Sequence, residues 1–332
     1  MKSIVMKIFT LTVMLLVTVL GHASTAAPSS SIDADKIRVF AREMAQQHQF
    51  DQAELEQLLK NARIHQTILD AISRPAEAKP WHEYRPIFVN KQRIKGGVAF
   101  WNDNALTLKK ASQKYGVPAE IIVAIIGVET RYGQHKGRFP VIDSLSTLAF
   151  AYPPRSRFFR GELKQFLLMT REENINPLKQ LGSYAGAMGL PQFIASSFRN
   201  YAVDFDGDGT RDLWNNTSDA IGSVANYFKR HGWKQGEPIA HRAIIRGQKY
   251  KKLLNDDLKP QWSLAQLRSH GVQPAQKVPA KLEGTLLELD TGTSKPEYWL
   301  GWDNFYVITR YNHSAHYSMA VFQLANEIRA QR

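Results

Sequence analysis

The chain has 332 residues, 43% hydrophobic and 22% charged, which suits a soluble globular fold with a substantial core. Its formal charge of +13 points to an anionic partner (nucleic acid, a membrane face, an acidic polymer such as cell wall) or simply to a solvated basic surface. It contains no cysteine, which excludes disulfides and a lipid-modified N-terminal cysteine.

Lys2 and Lys7 precede the apolar run from Ile8 to Leu20, and small residues follow. That order predicts a secretory signal over residues 1–23, read through Gly21 and Ala23. The alternative is a retained anchor in the inner membrane, although the run is shorter than the ~20 residues of a membrane span. Export places the basic chain beside an anionic wall and weakens the nucleic-acid reading.

Helical spacing begins near Ile37, with Ser31 or Asp33 as cap, and resumes from Asp51 and again in "IHQTILDAIS". Pro75 and Pro80 then interrupt it, so residues 24–80 read as a linker and a small helical region. From Trp81 to Trp233 the pattern is mainly helical. "VAFWNDNALTLKKASQKYG" reads as one helix stopping at Gly116, "VPAEIIVAIIGVET" as the next, and "RGELKQFLLMTREEN" as another. "SDAIGSVANYFKRHGW" starts at a Ser218 cap and closes near Gly232. Residues 234–305 change texture: "EPIAHRAIIRG", "LEGTLLELD" and "NFYVITRY" read as strands. Residues 306–332 end in a helix. The class is mainly α, or α+β, with a small β-rich domain.

Within "IIVAIIGVETRYG" every residue from Ile121 to Val128 is apolar or small, and then comes Glu129. Burial would raise its pKa and keep the carboxyl protonated near neutrality. A protonated carboxyl in an apolar pocket is what a general acid requires, above all for a glycosidic leaving oxygen. The competing reading is a helix-end glutamate paired with Arg131 or another cation. A second window, "GSYAGAMGLPQF" from Gly182 to Phe193, packs glycines and alanines that let backbone approach a ligand, with Ser183 and Gln192 as hydrogen-bonding groups. Tight loop packing alone would also explain it.

In "DFDGDGTRDLWN", Asp204, Asp206, Asp208, Gly209 and Asp212 stand at positions one, three, five, six and nine of an EF-hand loop, and Thr210 offers its carbonyl at seven. Asn215 replaces the usual glutamate at twelve. Such a loop is expected to hold Ca2+ in a structural role, because clustered carboxylates repel one another without a cation. The alternative is a surface cluster of Asx turns. Mg2+ fits less well, and His313 with His316 makes too weak a pair for zinc. No organic cofactor is expected.

"GVETRYG", "SLSTLAFAYPPR", "GSYAGAMGLPQF", "DAIGSVANYFKRHGW" and "ITRYNHS" occur in that order. Together they resemble the lytic murein transglycosylase B family, from about Trp81 to the C-terminus. The resemblance implies a lysozyme-like core over residues 81–233, flanked by a helical and a small β domain, with the irregular calcium loop running to Asp219 over residues 204–219. It implies cleavage of the β-1,4 bond between N-acetylmuramic acid and N-acetylglucosamine, with the muramoyl 6-hydroxyl closing a 1,6-anhydro ring. Glu129 matches the family's single acid/base. Ser183, Gln192, Asn312 and Tyr317 match substrate positions, and Tyr84, Tyr227 and Tyr311 match cleft aromatics. The chain departs from the family at Tyr152, Pro153, Pro154, Arg155, where Tyr-Pro-Arg-Arg is common. Arg155 then carries the contact to stem-peptide carboxylates, helped by Arg157 or Arg160. Asp143 is expected to be structural, for example a helix cap.

The expected partners are peptidoglycan glycan strands and other cell-wall enzymes, not nucleic acid, for a monomeric periplasmic protein. A hydrolytic muramidase and a non-catalytic, calcium-stabilised wall-binding protein are the competing functions.

Overall fold

The computed structural model describes residues 32–73, 79–254 and 257–332. The predicted signal over residues 1–23 lies outside them. No helix among the described residues is long and apolar enough to cross a membrane.

The chain opens with α1 (Ala34–His48), α2 (Gln52–Lys60) and α3 (Gln66–Ile72). Of the two caps offered for α1, Asp33 serves, accepting from the Asp35 amide at 2.9 Å. Asp51 caps α2 on the Glu54 amide. Then come α4 (Trp81–Phe88), α5 (Lys91–Asp103), α6 (Ala105–Tyr115) and α7 (Ala119–Thr130). The single helix expected up to Gly116 is therefore two. Asn104 breaks it, turning its side-chain amide back onto the Phe100 carbonyl at 2.9 Å. Gly116 ends α6 with φ 75°.

After α7 come β1 (Phe139–Pro140), α8 (Val141–Ala151), α9 (Ser156–Glu172), β2 (Leu181–Gly182), α10 (Ala195–Tyr201) and α11 (Thr217–Arg230). Ser218 lies inside α11. Its cap is Asn216, whose Oδ1 accepts from the Ser218 and Asp219 amides at 2.9 and 3.2 Å. The remainder is β3 (Ala240–Ile245), β4 (Trp262–Ser263), α12 (Leu264–Ser269), β5 (Val272–Pro274), β6 (Glu283–Leu289), β7 (Glu297–Gly301), α13 (Asp303–Tyr311) and α14 (Ala315–Ala330).

"NFYVITRY" is thus helix α13 and not a strand. Its β-branched residues favour a strand, but Asn304, Phe305, Ile308 and Thr309 are buried together as one helical stripe. Tertiary packing decides over local propensity.

The described residues form two compact units, each drawn from separated stretches. One takes residues 79–132 and 224–332. In it α7 packs against α5, α6 and α14, and an antiparallel sheet of order β4-β6-β7-β3-β5 stands on a core of Leu267, Val272, Leu286, Leu300 and Trp302. The other takes residues 32–73 and 133–223, where α8 packs on α9 and α3, α9 on α10, and α1 on α2.

Candidate functional site

Every residue from Ile121 to Val128 is buried, which bears out the all-round burial expected of α7. Glu129 follows in its last turn and is itself only partly covered. A helix C-terminus is the negative end of the dipole, a poor place for a carboxylate. Burial raises the Glu129 pKa to about 8, against the smaller lowering effects of a hydrogen bond from Tyr317 and the charge of Arg93. The carboxyl is therefore protonated at neutral pH.

Tyr317, in the first turn of α14, donates its hydroxyl to Glu129 Oε1 at 2.5 Å. Ser314 caps that turn on the Tyr317 amide at 3.2 Å. Tyr311, the last residue of α13, stacks on Tyr317 with ring planes 11° apart, and its centroid lies 4.8 Å from that of Tyr227. Tyr227 donates to the Arg310 carbonyl at 2.5 Å and stacks on His231 at 4.0 Å. Burial and the Glu129 charge hold the Tyr311 and Tyr317 phenols well above their ordinary pKa, so both stay neutral donors. Asn312 is buried in the short link between α13 and α14. Tyr84, on α4, is fully enclosed beside Phe88 and His316. Glu129, Tyr84, Tyr227, Tyr311, Asn312 and Tyr317 thus belong to one unit.

Three contributors to this unit escape sequence reasoning. Arg93 on α5 is 3% exposed and sits behind the end of α7, with a guanidinium pKa lowered by burial to about 10. Tyr132 sits two residues after the helix. His231 backs Tyr227. The usable signal was the Gly96-Gly97 pair inside a helical pattern, which asks for a close neighbour.

Ser183 and Gln192 belong to the other unit. The Ser183 hydroxyl oxygen accepts from the Ala185 and Ala187 amides at 3.2 and 3.0 Å, which leaves its proton to give. Gly182, Gly186 and Gly189 make the loop possible. A Cβ on Gly182 would lie 2.4 Å from the Ala187 carbonyl oxygen, and one on Gly189 2.3 Å from that of Leu213. Gln192 adopts φ 50° and donates to the Gly189 carbonyl at 2.9 Å. Its Oε1 is buried without a hydrogen-bond partner among the described residues, an acceptor suited to a ligand's donor. Arg155 closes a short 3-10 turn (Pro153–Arg155) and lies 4.4 Å over the Phe158 ring. Asp143 does not cap its own helix. It sits in the first turn of α8 and accepts from the Arg63 amide at 3.1 Å and pairs with the His65 ring at 3.0 Å.

The acidic loop closes on itself. Asp204, Asp206 and Asp219 each present a carboxylate oxygen within 4.8 Å of the others'. Asp204 Oδ1 accepts from the Gly207 amide at 2.7 Å and Oδ2 from Gly209 at 2.9 Å. Asp219 takes the Phe205 and Asp212 amides at 2.7 and 2.8 Å. Asp208 accepts from the Thr210 amide and hydroxyl, both at 2.8 Å, while Asp212 accepts from the Trp214 and Asn215 amides. The tight trio is therefore 204, 206 and 219, with 208, 210 and 212 around it. An all-oxygen set from alternate positions fits a hard cation such as Ca2+.

Residues 33–326 match a family model described as the transglycosylase SLT domain. The chain is 45% identical over 303 residues to the membrane-bound lytic murein transglycosylase B of Escherichia coli (strain K12), covering 88% of this chain and 82% of that protein. It is similar to the structure of E. coli lytic transglycosylase Slt35 in complex with calcium, at 44% identity and a TM-score of 0.82 over 90% of this chain and 93% of that one. It is also similar to SltB3 from Pseudomonas aeruginosa in complex with NAG-anhNAM-pentapeptide, at 31% identity and a TM-score of 0.78 over 89% of this chain and 79% of that one.

Proposed function

Because the chain belongs to the transglycosylase SLT domain family, we propose that it cuts peptidoglycan glycan strands without consuming water and that Glu129 is its single acid and base. Its fold is that of the Slt35-type, lysozyme-like enzymes, mostly helical with a small curled sheet, and the chain is a lytic murein transglycosylase. The observation that carries the finer reading is the carboxyl of Glu129, held protonated by burial and pinned through Oε1 by Tyr317.

The protonated carboxyl gives its proton to the glycosidic oxygen as the C1–O4 bond breaks, which releases the N-acetylglucosamine 4-hydroxyl. The 2-acetamido oxygen of the muramoyl residue steadies the oxocarbenium-like carbon. Glu129, now a carboxylate, takes the proton of the muramoyl 6-hydroxyl as O6 bonds to C1. The glutamate ends protonated as it began, so no water and no second carboxylate is required. Burial, Tyr317 and Arg93 set the carboxyl's pKa, and no carboxylate is among these influences. The SltB3 relative was solved with an anhydro-muramoyl peptide, which supports the same product here. The test is the mass of the muropeptides released: the anhydro product is one water lighter than a hydrolysis product. Reducing-end muramic acid as the sole product would turn the reading into a hydrolytic muramidase.

The remaining roles follow the same reading. Ser183 and the Gln192 Oε1 bind the sugar's amide and hydroxyl groups, Asn312, Tyr227 and Tyr311 line the saccharide path with Tyr84 supporting from behind, and Arg155 meets a stem-peptide carboxylate. Asp204, Asp206 and Asp219 hold Ca2+ with Asp208, Asp212 and the Thr210 carbonyl, in a structural role supported by the calcium complex of Slt35. Action in the periplasm after removal of residues 1–23 completes the proposal.

A further inference from the structure

Glycine inside a helix destabilises it relative to alanine. Yet Gly96 and Gly97 stand in the middle of α5 and Gly127 near the end of α7. Tyr132 presses on all three, joined at Gly97 by Ile328 of α14, whose Cδ1 would lie 2.4 Å from a Cβ there. A Cβ on Gly96 would lie 2.9 Å from the Tyr132 ring, one on Gly97 2.7 Å from its hydroxyl, and one on Gly127 2.5 Å from that same hydroxyl. The three glycines form a seat into which the Tyr132 ring is pressed. Tyr132 reaches it through two successive left-handed residues, Arg131 at φ 50° and Tyr132 at φ 60°, a conformation that non-glycine residues adopt at a cost. Its hydroxyl then donates to the Arg93 carbonyl at 2.7 Å.

Arg93 completes the assembly. Its guanidinium donates through Nη1 to the Gly127 carbonyl and through Nε to the Ile87 carbonyl at 3.1 Å, and it lies 5.1 Å over the Phe88 ring. Gly127 stands two residues before Glu129 and its carbonyl also accepts the Arg131 amide at 3.2 Å. The arginine thus fastens α4 and α5 to the last turn of α7 and sets a buried positive charge behind the carboxyl, without a direct ion pair to it. Cations are favoured at a helix C-terminus, so the charge has a reason to stay.

We propose that Arg93 is a positioning residue for the reaction, holding with Tyr132 in its glycine seat the turn that aims Glu129. The proposal rests on the reading of Glu129 as acid and base. The ionisable groups that face the carboxyl are Arg93 from α5, Tyr311 from α13 and Tyr317 from α14.

The test compares Arg93→Met, which keeps the stem and loses the charge, with Arg93→Lys, which keeps the charge and loses the two-carbonyl reach. Both are assayed on purified peptidoglycan for kcat, KM and the alkaline limb of the kcat profile. In Arg93→Met kcat falls at least tenfold with KM within about twofold, and the limb moves to higher pH because a charge favouring the carboxylate is gone. Arg93→Lys keeps the limb near the parent's position and still loses kcat. Gly127→Ala, which drives the Tyr132 ring from its seat, gives a third reading if an arginine variant does not fold: its kcat falls with KM unchanged. Folded variants with parental kcat and a parental limb, differing only in melting temperature, would make Arg93 and Tyr132 packing residues and overturn the proposal. That outcome leaves the Glu129 reading intact, since Glu129→Gln reports on it separately.

Discussion

The Tyr317 hydroxyl donates to Glu129 Oε1 at 2.5 Å across the interface between α14 and the end of α7. A donor favours the ionised carboxyl, so this bond opposes the burial that keeps the acid protonated. The bond also selects an oxygen: with Oε1 occupied, Oε2 is the one left to carry the proton in the proposed reaction.

Tyr317→Phe tests that relationship. Losing the donor raises the Glu129 pKa further, so the alkaline limb of kcat moves to higher pH. A hydrogen bond to a charged group is worth about 1.5–3 kcal/mol, so kcat falls by roughly ten- to a hundredfold. A pH profile measured from 5 to 10 checks both. A limb that stays in place or moves to lower pH would remove Tyr317 from the account.

Glu129→Gln removes the proton donor and keeps the shape. General acid catalysis is worth ~10²–10⁴-fold, so muropeptide release drops by at least that range, with the circular dichroism spectrum unchanged. Stability changes in the opposite sense. The folded-state pKa is raised from 4.5 to about 8, so between these values the native state holds a proton that the unfolded chain has released. Stability from this group is full below pH 4.5, declines as pH rises toward 8 and is level above. Glutamine does not titrate. The variant's melting temperature therefore gains on the parent's steadily from pH 5 to pH 8, and a constant difference would contradict the raised pKa.

Much of this site was legible because it is written locally. An uninterrupted apolar helix ending in one carboxylate announces its own desolvation, and alternating aspartates with a glycine at position six announce a turn round oxygen ligands. The rest depends on what packs against what. Phe305 and Ile308 look like strand residues until α14 is placed beside them. Pro86 hides α4, whose eight residues are too few for a clear period. Arg93 reads as a surface arginine because nothing nearby in the sequence names its partners, the carbonyls of Ile87 and Gly127.

Asp143 shows how a carboxylate near the family motifs differs from a catalytic one. Its contacts are the Arg63 amide and the His65 ring, which anchor the entry to α3 on α8. Asp143→Ala leaves those donors unmatched, so the protein is destabilised by about 1–3 kcal/mol in urea unfolding. Turnover at 25 °C stays within about threefold of the parent. A loss of two orders of magnitude in a folded variant would bring in a second carboxylate and end the single-acid scheme.

The acidic loop from Asp204 to Asp219 allows a cleaner separation of proposed ligand from scaffold than the count of its aspartates suggests. Asp204 and Asp219 each hold backbone amides of the loop, so removing either disturbs the fold whether or not an ion is bound. Asp206 is exposed and, among the described residues, its carboxylate accepts a hydrogen bond only from the Asn216 side-chain amide, at 2.9 Å, besides facing Asp204 and Asp219. Asp206→Ala should therefore leave the melting temperature of chelator-treated protein nearly unchanged. In the parent, calcium at 100 times its dissociation constant stabilises the folded state by ~2.7 kcal/mol through mass action, and the melting temperature rises accordingly. In Asp206→Ala that rise shrinks or vanishes at the same free calcium, because one charged ligand of the tight trio is gone. Magnesium substitutes poorly in the parent, since it demands a smaller, more regular octahedral shell. Activity at low temperature persists in chelator, because no step assigned to Glu129 passes through a metal. Calorimetric scans of parent and variant, each with chelator, calcium or magnesium, give all of these comparisons. A parent protein whose melting temperature ignores calcium after verified metal removal would leave these aspartates as a self-capped turn.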